Sequence, residues 1–97
     1  MTEAAETRLR RLAMRSRRRG TREMDLILGA YAEARLAGLD SAALDRFESL
    51  LAENDQDLYA WISGAEPPPA DRVALIAEIA AFARDRHRPD PSKGGQA

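Results

Sequence analysis

Apolar residues recur along this chain at helical spacing, in five short blocks, most of them separated by glycine or proline. Met24, Ile27, Leu28 and Tyr31 stand at i, i+3, i+4 and i+7, the stripe of an amphipathic helix from just after Gly20 to about Ala37. A narrower stripe of Leu9, Leu12, Ala13 and Ser16 marks an earlier helix from about Glu6 to Arg18, which Gly20 interrupts. Gly38 stops the second helix. A third opens at Asp40, an N-cap, with Leu39 and Leu44 placed as a hydrophobic staple. Its buried face is Leu44, Phe47, Leu50 and Leu51. Asn54 caps a fourth helix, about Asp55 to Ser63, with Leu58, Trp61 and Ile62 inward and Gly64 closing it. Pro67, Pro68 and Pro69 then break the chain. A fifth helix, about Asp71 to Arg86, presents Val73, Ile76, Ile79, Phe82 and Ala83 on one face. No block alternates with strand period. The pattern predicts an all-α fold, a compact five-helix bundle in one small domain over residues 6–87. The ends, 1–5 and 88–97, have little to bury and are expected to be flexible.

Composition narrows the function classes. A chain of 97 residues has room for one small core, and a deep substrate cleft would consume much of it. Without cysteine, disulfides, thiolate chemistry and sulfur-ligated metal sites are excluded. Glu3 and Glu6 with no apolar run make a secretory leader unexpected, and no stretch approaches the roughly 20 apolar residues of a membrane span. The expected location is cytoplasmic.

The net charge of −1 conceals an asymmetry. Up to Arg22 there are eight arginines against Glu3 and Glu6, whereas from Asp40 to Glu66 seven acids face Arg46 alone. Eight arginines suit phosphate contacts, but the acidic remainder and the lack of stacking aromatics beside them weigh against a nucleic-acid binder.

Candidate catalytic groups are few. His87, the single histidine, follows Arg86 at the end of the last helix and reads as a solvated residue. Asp55 and Asp57 read as first-turn helix acids, since no calcium-loop spacing follows them. There is no glycine-rich phosphate loop. Trp61 shares a face with Leu58 and Ile62 and reads as a core anchor, while Tyr59 lies off that face and should be partly exposed. No catalytic centre is expected.

The stretch RRRGTREMD, Arg17 to Asp25, carries more information in its spacing than in its charge. With Gly20 as N-cap of the second helix, Glu23 falls at N3, where its carboxylate can reach back to the Gly20 N–H as half of a capping box. Arg19 then projects from the junction with its planar fork free for a carboxylate or carbonyls. Arg15 and Arg22 flank it. That geometry suits a docking edge for another protein; a nucleic-acid face and an antitoxin-like regulatory module are the alternatives.

At these residues the chain resembles a known family. Arg19-Gly20-Thr21-Arg22-Glu23 stands as an RGxxE motif, and Phe47 to Gly64, FESLLAENDQDLYAWISG, is similar to the family's second block. The family is the FAD assembly factors of succinate dehydrogenase, the SdhE-type flavinylation factors. The resemblance covers about residues 8 to 86. It implies a five-helix bundle with no chemistry of its own, which binds the succinate dehydrogenase flavoprotein subunit and promotes covalent attachment of FAD. Fumarate reductase flavoproteins are a further implied partner. The FAD belongs to the partner, and the resemblance leaves direct FAD binding by this chain open. The implied partner-binding residues are Arg19, Gly20 and Glu23, with Arg15 and Arg22 beside them.

Overall fold

The computed structural model describes residues 3–87. The side chain of His87 and the segment 88–97, expected to be a flexible tail, lie outside the described residues, as do residues 1 and 2. Five helices follow in order: α1 (Ala5–Arg17), α2 (Arg22–Arg35), α3 (Ser41–Leu50), α4 (Asp55–Ser63) and α5 (Val73–His87). Among the described residues there is no strand, and the fold is the expected all-α bundle.

Local chemistry sets most of the boundaries. The Asp40 carboxylate accepts the Ala43 N–H at 2.8 Å, and the Asn54 side chain accepts the Asp57 N–H at 2.8 Å, so α3 and α4 each begin on a side-chain cap. Gly64 ends α4 in the left-handed region, φ 87°, with its N–H on the Trp61 carbonyl. The second helix tightens at its end: α2 stops at Arg35 and Leu36–Gly38 form a 3₁₀ turn. A second 3₁₀ turn, Ala70–Arg72, leads from the prolines into α5.

The core forms where the helical stripes meet. From α1 and α2 come Leu12, Met24, Leu28 and Tyr31; from α3 and α4, Phe47, Leu50 and Leu58; from α5, Ile76 and Ile79. Tyr31 stacks on Phe47 with ring centroids 5.7 Å apart and meets the edge of Phe82 at the same separation. Its hydroxyl donates to Glu78 at 2.6 Å, which satisfies the one polar atom on a buried ring. Burial, reinforced by the hydrogen bond to Glu78, raises the Tyr31 pKa above the ordinary tyrosine value. Ser16, fully buried, donates to the Leu12 carbonyl at 2.7 Å, the back-bond that lets a hydroxyl sit in an apolar stripe. Trp61 and Ile62 pack against this core, and Tyr59 is 47% exposed, as their faces predict. Val73 departs from expectation: it is 49% exposed. It shares the face of Ile76 one turn earlier, but α5 begins there, at the edge of the packed layer.

Along the α1–α2 contact, a Cβ placed on Gly29 would lie 3.1 Å from the Arg17 Cγ. Arg17 is flexible and exposed, so it can yield to one methyl group. Gly29→Ala should therefore stay within about 0.5 kcal/mol of wild type, helix propensity offsetting the crowding. Gly29→Leu should lose about 2 kcal/mol by overpacking. Chemical denaturation of both variants checks the pair; equal stabilities would mean that the helices do not approach closely there.

Candidate functional site

The turn between α1 and α2 is built around one glycine and one acid. Gly20 has φ +107°, a conformation that L side chains rarely adopt. The N-cap of α2 is Thr21, one residue later than the sequence predicts, so Glu23 falls at N2 and the expected capping box does not form. Asp25 takes that role instead. Its carboxylate accepts the backbone N–H of Arg19 and, at 3.3 Å, that of Gly20. Helical side chains lean toward the N-terminus, and from N4 the short Asp25 side chain reaches the chain entering the helix. Glu23 is left exposed, and no hydrogen bond or ion pair engages it among the described residues.

Arg19 also departs from expectation. Its fork does not project into solvent. The side chain is 10% exposed: Nε donates to Asp55 Oδ1 at 2.8 Å, and the two terminal nitrogens donate to the carbonyls of Leu51 and Glu53. Those carbonyls lie just beyond the last turn of α3, so Arg19 serves as a C-terminal cap for a helix distant in sequence. Asp55 also accepts the Thr21 hydroxyl at 3.4 Å. From the other side Arg72 holds Glu53 at 2.8 Å and reaches Ser49. The α3–α4 loop is therefore pinned by two arginines from distant segments, and the start of α2 is locked to the start of α4.

Other front-end arginines also meet acids of this chain, two of them in its acidic middle. Arg8 bonds Asp45 and Glu48, Arg11 bonds Glu48 and Glu3, and Arg17 lies 3.7 Å from Glu33. The charge asymmetry along the sequence is thus partly cancelled in three dimensions. Arg10, Arg15, Arg18 and Arg22 are exposed and take part in no ion pair among the described residues. Arg11 holds the carboxyls of Glu3 and Glu48 below the ordinary range, chiefly through its hydrogen bonds. A carboxylate with a depressed folded pKa stabilises the fold above its unfolded pKa, and that contribution disappears as pH falls through the folded value. Glu48→Gln should lower the melting temperature by about 2–4 °C near neutral pH. The difference from wild type should vanish in acid. A gap independent of pH would assign the loss to packing.

Of the expected site residues, Gly20, Arg22 and Glu23 come together at an exposed junction, with Arg19 fixed beneath it; Arg15 lies on α1, exposed. The spacing did not single out Asp25, whose place two residues after Glu23 becomes informative only once Thr21 is known to be the N-cap. Among the described residues no group of three or more His, Asp or Glu side chains could hold a metal ion. No helix there is long and apolar enough to cross a membrane.

Fold and junction together define a small all-α domain with a rigid, exposed edge at its α1–α2 turn. The chain belongs to the family described as "Flavinator of succinate dehydrogenase", which it matches over residues 10–83. It is 38% identical over 88 residues to the FAD assembly factor SdhE of Pseudomonas aeruginosa, covering 90% of this chain and 99% of that protein. Over 69 residues it is 44% identical to the mitochondrial succinate dehydrogenase assembly factor 2 of Mycosarcoma maydis, covering 71% of this chain and 29% of the relative. With the corresponding factor of Meyerozyma guilliermondii it shares 42% identity over 59 residues, 61% of this chain and 44% of the relative. The chain therefore spans less than half the length of these fungal relatives. All three are named as assembly factors, not as catalysts.

Proposed function

We propose that this chain is a cytoplasmic assembly factor that binds the flavoprotein subunit of succinate dehydrogenase and promotes covalent attachment of FAD. Fumarate reductase flavoproteins are a second client class. The observation that carries this reading is membership of the flavinator family over residues 10–83, with Arg19, Gly20 and Glu23 of the RGxxE motif in one ordered junction. The bond forms between groups of the partner and its FAD, and this chain contributes position. Holding the partner so that its reacting groups are aligned can supply several orders of magnitude in rate.

Roles within the junction divide by exposure. Gly20, Arg22 and Glu23 are exposed and available to a partner, with Arg15 on the adjoining helix. Arg19 acts from below, holding α2 and α4 in register so that the exposed residues are presented without an ordering cost at binding. The test is to express the flavoprotein with and without this chain in a host lacking any other such factor. Covalent flavin is then read by in-gel fluorescence after denaturation. An increase with the chain present is expected; unchanged flavin would overturn the reading.

A further inference from the structure

Beside the junction, between the start of α2 and the outer face of α4, runs an open groove of about 470 Å³. Met24 and Ala60 line it together with the half-exposed ring of Tyr59. Two of the lining residues are charged, Glu23 and Asp55, and both are carboxylates. They are not equivalent. Asp55 is already neutralised by Arg19 and accepts the Thr21 hydroxyl, whereas Glu23 is exposed and no partner engages it among the described residues. The groove thus offers an apolar surface with one unanswered negative charge at its edge, and it is continuous with Gly20 through Thr21.

We infer that this groove docks a segment of the flavoprotein in which an apolar side chain lies next to a lysine or arginine. This rests on the function proposed above and adds to it the chemistry of the docked segment. The apolar side chain packs on Tyr59 and Ala60 above the buried Met24, and the cation pairs with Glu23. An anionic occupant such as a dinucleotide diphosphate is disfavoured, because the one unanswered charge of the lining is the Glu23 carboxylate and the lining holds no cation. The lock between Arg19 and Asp55 fixes the two walls before binding, so docking loses little conformational freedom.

The experiment titrates the purified flavoprotein subunit with the full chain and with Glu23→Lys, Glu23→Gln, Tyr59→Ala and Ala60→Trp, after circular dichroism melts establish folding. Glu23→Lys and Ala60→Trp should each weaken binding about tenfold or more, the first by charge repulsion and the second by filling the groove. Tyr59→Ala should weaken it severalfold by removing apolar contact. Glu23→Gln should cost less than Glu23→Lys and should flatten the salt dependence of the wild-type affinity. Glu23 and Tyr59 are exposed, so their variants keep the test decisive even where Ala60→Trp fails to fold. If wild type binds and raises covalent flavin while the folded groove variants bind equally well, the groove assignment is wrong and the assembly-factor reading stands. Tighter binding by Glu23→Lys overturns the assigned charge of the segment. If wild type itself neither binds nor affects flavin, both readings fall.

Discussion

Arg19→Ala is expected to destabilise the fold by about 3 kcal/mol in chemical denaturation. The side chain is nearly buried and serves three acceptors, the Asp55 carboxylate and the carbonyls of Leu51 and Glu53. Removing it leaves a mostly buried carboxylate without its counter-charge and takes the cap from the end of α3. Leaving such groups unpaired is what makes the truncation costly, more than any net gain from the ion pair itself. For a domain of this size the loss corresponds to a drop of roughly 10–20 °C in melting temperature. Arg19→Lys should recover part of it, because an ammonium can meet Asp55 but cannot span the three acceptors of a planar fork. If Arg19→Ala melts within a degree or two of wild type, the guanidinium is not holding the α3–α4 loop.

Gly20→Arg should abolish partner binding while leaving the helical circular dichroism largely intact. Two effects combine in this variant. A non-glycine residue at φ +107° carries backbone strain of about 1–2 kcal/mol, and the long side chain adds bulk and charge at the proposed docking edge. Gly20→Ala separates them. A Cβ at this position meets nothing within 4 Å, so alanine introduces the strain without the bulk. The alanine variant should be less stable by that amount yet keep most of its affinity, whereas the arginine variant should show no measurable binding. Normal binding by Gly20→Arg would remove Gly20 from the interface. Equal losses in the two variants would show that the turn's conformation, not the open space above it, is what the partner needs.

Comparison of two junctions shows how far sequence reasoning reaches. At the start of α4 every relevant group lies within a few residues: Asn54 caps Asp57, Asp55 and Asp57 occupy the first turn, and Gly64 closes the helix. Such local hydrogen bonds follow from residue type and spacing, so the boundaries Asp55 and Ser63 are readable without coordinates. At the start of α2 the same reasoning chose Glu23 as the capping acid, and the structure uses Asp25. The choice depends on the turn adopted by Gly20, and that turn is set in part by where Arg19 is held. Val73 shows the same limit on the apolar side. Periodicity places it on the buried face, but where that face ends depends on which neighbours cover the first turn of α5.

By itself the sequence determined the five helices, most of their caps and stripes, and the RGxxE motif with its family resemblance, because each depends on residues close together along the chain. Tertiary structure decided what the charges do. Arg19 finds acceptors 32 to 36 residues away, Arg8 and Arg11 reach acids of α3, and Arg17 lies beside Glu33, so half of the basic front end is answered from within. No periodicity encodes which distant carboxylate a given arginine meets, since that follows from how the helices pack. The same packing leaves Glu23 exposed without a partner among the described residues and opens the groove beside it.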